Sequence, residues 1–152
     1  MRCLTGLVLI FLAASAAMAE AASGRVLKVL PHYLDQQGRH ALSPSLFERD
    51  AYQQHLRKHP EEIGSLRFDV QWSASGVKPE SLRLRVEARG GKAGATQPLV
   101  VEGPVKSRWG LSAWAELKLA PEAWKQLGGL NGWRVTLWNG DEMIAEQKSF
   151  LW

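Results

Sequence analysis

The stretch from Ser65 to Gly90, SLRFDVQWSASGVKPESLRLRVEARG, decides the fold. Apolar residues occupy every second position from Leu66 to Trp72 and again from Leu82 to Ala88, with charged or polar residues between them. A period of two is typical of strands that bury one face only. Turn residues fill the segment that joins the two runs. The stretch therefore predicts two consecutive strands that each contribute one face to a hydrophobic core.

Five further strands follow from similar patterns. They are predicted at residues 26–30, 97–101, 111–119, 133–138 and 143–150. A proline and a glycine bracket a short helical turn at 121–129. Asn-Gly between the last two strands is a strong hairpin signal, but its register is open. A two-residue turn would pair Val135 with Ile144, whereas a three-residue loop would pair Leu137 with Met143. The longer loop also sets Arg134 opposite Glu146, and this charge match favours it.

One strong helix is predicted between the first and second strands, at about residues 45–59. Ser45 and Glu48 form a capping box at its start, and Pro60 ends it. A helical wheel gathers its apolar residues and both of its histidines on one arc, which is predicted to face the sheet. The residues on this arc are Phe47, Glu48, Ala51, Tyr52, His55, Leu56 and His59.

These patterns resemble those of a fibronectin type III or related immunoglobulin-like domain. Trp72 ends the second strand, an alternating third strand follows, and a helical turn precedes the penultimate strand. The resemblance covers roughly the C-terminal two-thirds of the chain and departs from the family in lacking a cysteine pair and a tyrosine corner. It implies a mainly β, seven-stranded antiparallel immunoglobulin-like β-sandwich, here with one α-helix inserted between strands 1 and 2. The segments SPSLFERDAYQQHLRKHP and WRVTLWNGDEMIAEQKSFLW are also similar to uncharacterised secreted bacterial proteins with this sandwich. That similarity implies a fold and a compartment, and no activity.

The N-terminus carries the pattern of a secretory signal peptide at residues 1–19. Arg2 precedes an apolar run from Leu4 to Ala14, and the cleavage signal Ala17-Met18-Ala19 follows. Cleavage after Ala21 or Ala22 fits nearly as well. The chain is therefore expected to be exported, periplasmic or secreted, with residues 20–152 as a single domain.

Composition excludes several classes of function. The only cysteine, Cys3, lies within the predicted leader, so the mature chain has no disulfide and no thiolate nucleophile or metal ligand. Removal of Arg2 leaves 18 of the 19 basic residues against 15 acidic ones, a surplus too small to indicate nucleic-acid binding. The mature chain shows no later transmembrane span. No GxSxG motif or phosphate-binding loop is present, and the sequence predicts neither an enzyme nor a cofactor.

Histidines provide one candidate site. His55 and His59 are four residues apart on the predicted helix, a common spacing for metal ligands. A third ligand would have to come from Glu48, His32 or His40, and basic Arg57 and Lys58 lie next to the pair. The alternative is that His55 packs against the sheet and His59 closes the helix.

Tryptophans and arginines provide two more candidate surfaces. Trp109, Trp114 and Trp138 could stack on sugars if they are exposed, and the alternative is that other parts of the chain cover them. The third and sixth strands are predicted to be neighbours whose outer faces carry an arginine stripe, broken by Glu87 and Glu146. Its members are Arg83, Arg85, Arg89 and Arg134. The stripe could bind an anion, and the alternative, which is favoured, is a solvated face whose charges are partly paired.

Taken together, the sequence predicts an exported binding or structural module without catalysis, with an unknown protein or envelope component as its partner. A metal- or small-ligand-binding protein that uses the His55 and His59 helix is the first alternative. A carbohydrate-binding domain is the second.

Overall fold

The computed structural model describes residues 21–91, 97–105 and 112–152. Its elements, in chain order, are β1 (Ser23–Asp35), α1 (Leu46–Lys58), β2 (Ile63–Ser75), β3 (Leu82–Gly90), β4 (Leu99–Pro104), β5 (Ser112–Lys118), α2 (Pro121–Leu127), β6 (Leu130–Asn139) and β7 (Glu142–Lys148). The predicted fold class, a mainly β antiparallel sandwich with a helix between its first two strands, is confirmed. The predicted signal peptide and Trp109 lie outside the described residues.

The strands form two antiparallel sheets, one with the order β1-β2-β5 and the other with the order β4-β3-β6-β7. The alternation in β2 is borne out, because Leu66, Phe68, Val70 and Trp72 are all fully buried. Their partners from the second sheet include Leu84, Val86, Val135 and Leu137. Each large apolar side chain buried in this way contributes about 1.5–3 kcal/mol relative to exposure. The core therefore lies between the inner faces of the two sheets.

The β6–β7 hairpin follows neither of the predicted registers. Asn139 pairs with Glu142 and Trp138 with Met143, which leaves a two-residue turn in which Gly140 has a φ of 56°. An irregularity beyond Trp138 then shifts the pairing by one residue, so that Arg134 faces Lys148. A bulge of this kind cannot be read from charge matching, because it changes the register partway along the hairpin.

Helix α1 has the predicted extent but not the predicted orientation. Ser45 caps its start, because the Oγ of Ser45 accepts from the N–H of Glu48 at 3.5 Å. The face that docks is centred on Gln53 and Leu56, which are both buried. Gln53 bonds the main chain of Tyr33 twice, accepting from its N–H and donating to its C=O, each at 2.9 Å. Among the described strands β1 pairs only with β2, so these bonds cover part of the free edge of the sheet with α1.

The predicted inward arc is therefore wrong for several of its members. Phe47 is 82% exposed, and Glu48, His55 and His59 are also exposed. On the helical wheel the docking face was assigned by the polarity of the side chains. The contact that orients α1 is instead polar, between the amide side chain of Gln53 and the backbone of β1. In the described ranges, no helix is both long and apolar enough to cross a membrane.

Candidate functional site

The C-terminal end of α1 brings four metal-ligating side chains together. The N–H of His59 donates to the carbonyl groups of His55 and Leu56, which closes the helix. Pro60 then opens a 3₁₀ turn over Pro60–Glu62. This turn carries Glu61 and Glu62 back beside the two histidines. We call His55, His59, Glu61 and Glu62 the His–Glu cluster.

The distances within the His–Glu cluster are short. Nε2 of His55 lies 2.8 Å from Oε2 of Glu62, and Nδ1 of His59 lies 3.4 Å from Oε1 of Glu61. The two imidazole ring centres are 4.4 Å apart. His59, Glu61 and Glu62 each offer a ligand atom within 4.8 Å of the other two. Three possible ligand atoms are therefore neighbours, and a second imidazole, that of His55, is hydrogen-bonded to Glu62.

The cluster lies open to water. The side chains of His55 and Glu62 are 45% and 46% exposed. Imidazole nitrogen and carboxylate oxygen are ligands that Zn²⁺ accepts, and imidazole also suits Cu²⁺ and Ni²⁺. The guanidinium carbon of the neighbouring Arg57 lies 5.8 Å from the ring centre of Tyr33. An ion at this site would keep water in its remaining coordination positions.

Of the ligands predicted from the sequence, His55 and His59 lie together in this cluster, whereas His32 and His40 form a separate pair with ring centres 5.4 Å apart. Glu48 lies at the opposite end of α1, where its N–H is capped by Ser45. His32 is buried, and Nδ1 of its ring lies 2.9 Å from Oδ2 of Asp69. Glu61 and Glu62 were missed because Pro60 was interpreted only as a helix stop. The spacing His-x-x-x-His-Pro-Glu-Glu contains them, and a 3₁₀ turn after the proline was the signal that could have found them.

A buried polar network lies between α1 and β1. The carboxylate of Asp35 accepts from the hydroxyl of Tyr52 and from Nε of Arg39, both at 2.7 Å. Burial alone would raise the pKa of Asp35, but hydrogen bonds from the Arg39 backbone and from these two side chains hold it below its usual value. Burial and the bond to Asp35 raise the pKa of Tyr52. The network joins α1 to the end of β1.

A second ionic group lies on the outer face of the three-stranded sheet. Asp69 accepts from Nη2 of Arg67 at 2.9 Å as well as from His32. Burial opposes ionisation of Asp69, but the bonds from His32 and Arg67 hold its pKa below the usual value. The ring of His40 lies 5.4 Å from that of His32, and burial together with the charge of Arg67 lowers the pKa of His40.

The arginine stripe on the four-stranded sheet is largely paired. Glu87 is buried beneath it, accepts from Nε of Arg134 at 2.7 Å and forms an ion pair with Arg85, whose Nε lies 3.1 Å from Oε1 of Glu87. The guanidinium of Arg83 lies 5.3 Å from the ring centre of Trp138. Two of the predicted anion-binding arginines are thus occupied by a carboxylate and a third by an aromatic ring.

The two described candidate tryptophans lie on different sheets. Trp114 on β5 is 49% exposed. Trp138 on β6 is partly covered by Arg83, and its indole N–H donates to Oγ1 of Thr136 at 2.8 Å. They do not form one platform for a sugar.

Comparison of the chain with protein-family models, with curated proteins and with solved structures found no match.

Proposed function

We propose that this chain is an exported, non-catalytic binding module whose ligand is a divalent transition metal ion held by the His–Glu cluster. The observation that carries the proposal is the convergence of His59, Glu61 and Glu62 within 4.8 Å, with His55 hydrogen-bonded to Glu62. Export rests on the leader-like pattern of residues 1–19. The resemblance to fibronectin type III domains stays a prediction.

The chemistry of the cluster favours Zn²⁺, Ni²⁺ or Cu²⁺ over Mg²⁺ or Ca²⁺. Neutral imidazole binds the first three ions well, whereas the last two prefer an all-oxygen shell. Binding would replace the two His–Glu contacts by bonds to the ion. Because the bonds of Zn²⁺ to nitrogen and oxygen are only about 2.0–2.2 Å long, the four side chains must draw inward by rotation. Ordering exposed side chains costs conformational entropy, and the site is therefore expected to be of moderate affinity.

We favour storage, transfer or structural use of the ion over catalysis. The ligand-bearing side chains are about half exposed or more. A metal ion there would not be sheltered from water, and exclusion of water is what strengthens electrostatic catalysis at an active site.

The test is thermal unfolding of the mature protein with and without Zn²⁺. At about one hundred times the dissociation constant, the ion should stabilise the fold by about 2.7 kcal/mol, roughly 10 °C in Tm for a domain of this size. The double variant His55→Ala with His59→Ala should lose this increase while keeping the metal-free Tm, because both side chains are exposed. Glu48→Gln, at the other end of α1, serves as the matched control. An equal Zn²⁺ effect in wild type and in the double variant would contradict the proposal.

One observation favours a second candidate function, recognition of a carbohydrate. Trp114 borders an open groove of about 400 Å³ together with Gly103, Pro104 and Glu116. An exposed indole beside a carboxylate can stack on a sugar ring and accept bonds from its hydroxyl groups. A polysaccharide that quenches or shifts the tryptophan fluorescence of wild type but not of Trp114→Ala would support this function. An unchanged spectrum across a polysaccharide panel would contradict it.

A further inference from the structure

We propose that the cleft between α1 and β1 binds a small oxyanion, a carboxylate or a phosphate, through Arg49 and Arg57, beside the ring of His32. This inference does not depend on metal binding at the His–Glu cluster. The cleft has a volume of about 430 Å³, within the range of small-molecule sites. Its polar lining consists of His32, Arg49, Asp50, Gln53, Gln54 and Arg57.

His32 is held in one orientation by its neighbours. The side chain is only 11% exposed, and Nδ1 lies 2.9 Å from the Asp69 carboxylate. An ionised carboxylate can only accept a hydrogen bond, so Nδ1 of His32 donates to Asp69. In the neutral ring Nε2 then carries no proton and can only accept, for example from the hydroxyl group of hydrogen phosphate. A carboxylate that orients an imidazole in this way is a recurring support for functional histidines.

Arg49 and Arg57 supply the positive charge. Arg49 donates to its sequence neighbour Asp50 at 2.9 Å, but the Asp50 side chain is 71% exposed. An exposed pair of this kind is worth little, and a bound anion can replace it. Arg57 lies over the ring of Tyr33, a contact that leaves the N–H edge of its guanidinium free for an acceptor. The lining therefore carries two guanidinium groups and one carboxylate, which leaves an excess of positive charge.

One lining residue of the cleft, Gln53, is fixed by hydrogen bonds. The side-chain amide of Gln53 makes three hydrogen bonds to main-chain groups, two to Tyr33 and one to the carbonyl of His40, all at 2.9 Å. The adjacent Gln54 is exposed and offers a further amide donor. Guanidinium forks match the paired oxygens of a carboxylate or phosphate, whereas a cation or an apolar ligand finds few partners in this lining. The chemistry thus selects a small oxyanion.

The experiment is a nuclear magnetic resonance titration of metal-free protein with sodium phosphate and, separately, with sodium acetate. Sodium chloride at matched ionic strength is the reference. Ring signals of His32 should shift saturably with at least one of the two oxyanions. Arg49→Gln and Arg57→Gln should each weaken binding roughly tenfold or more, the value of one charge-assisted hydrogen bond. Arg25→Gln is the control, because Arg25 is an exposed arginine of β1 outside the cleft lining.

Each outcome bears on the proposal. Saturation by phosphate alone assigns a phosphoryl ligand, and saturation by acetate alone assigns a carboxylate, so that either result supports the cleft. Equal shifts with chloride, or wild-type affinity in both arginine variants, would overturn it. The variant His55→Ala with His59→Ala should bind the oxyanion unchanged, which separates this site from the His–Glu cluster.

Discussion

The protein contains two histidine–carboxylate pairs of nearly equal length, one largely buried and one exposed to solvent. His32 and Asp69 are 2.9 Å apart with side chains 11% and 16% exposed, whereas His55 and Glu62 are 2.8 Å apart and nearly half exposed. Distance alone does not distinguish them. Burial does, because the loss of a buried partner leaves an uncompensated polar group, while water replaces a lost partner at the surface. The first pair is therefore built into the structure, and the second is free to exchange its partner for a metal ion.

The largest effect is expected at the buried pair. Asp69→Asn removes the charge that holds both His32 and Arg67, and we expect it to lower the free energy of unfolding by about 2–3 kcal/mol. Chemical denaturation of wild type and variant measures the change. A loss below about 0.5 kcal/mol, the range of ordinary surface substitutions, would contradict the distinction between the two pairs.

Docking of α1 should be the next most sensitive feature. Gln53→Ala removes three hydrogen bonds to main-chain groups of β1 and of the following loop, and we expect it to cost about 1–3 kcal/mol. Hydrogen exchange of the Tyr33 amide, which donates to Gln53, should accelerate in this variant. Gln54→Ala is the matched control, because Gln54 is the exposed neighbour on the same helix. If both variants exchange alike, α1 is not held by Gln53.

Acid should lower the free energy of unfolding in two stages. The pKa of His40 lies below its ordinary 6.5 in the folded protein, so the unfolded chain binds the proton first and stability begins to fall below that pH. The pKa values of Asp35 and Asp69 lie below the ordinary 3.8. Their contribution is present above that pH and is lost as pH falls through the folded values. Denaturation measured across this range should show both stages, and His40→Gln should remove the first. Stability that rises from neutral pH toward pH 5 would contradict the account.

The smallest effect on stability is expected at the exposed pair. Glu62→Gln makes the same carboxylate-to-amide change as Asp69→Asn, yet it should alter the metal-free free energy of unfolding by less than about 0.5 kcal/mol. Its affinity for Zn²⁺ should fall, because an amide oxygen is a poorer ligand than a carboxylate. Calorimetric titration measures the affinity. A large loss of metal-free stability would mean that the exposed pair is structural after all.

The contrast also shows which features could be predicted from the sequence. In a strand that buries one face, apolar residues occupy every second position. This pattern is why β2 and β3 could be located from the sequence. Capping at Ser45 and the stop at Pro60 likewise marked the ends of α1. These are local signals, and local signals were enough for the element order.

The face of α1 and the members of the His–Glu cluster depend on non-local contacts. The wheel treated Gln53 as a solvent residue, because polarity does not show that an amide will meet the free edge of β1. Glu61 and Glu62 reach the histidines only through the 3₁₀ turn after Pro60. The hairpin register depends on a bulge next to Trp138. The helix face, the cluster and the hairpin register thus depend on turns, bulges and contacts that the hydropathy of the sequence does not show.

The most direct test of the central claim follows the ring nitrogens of all four histidines by nuclear magnetic resonance during a Zn²⁺ titration. The account predicts that the signals of His55 and His59 shift together and saturate, while those of His32 and His40 keep their metal-free positions. Shifts at His32 and His40 with no change at His55 and His59, or no saturable shift at any histidine, would contradict it.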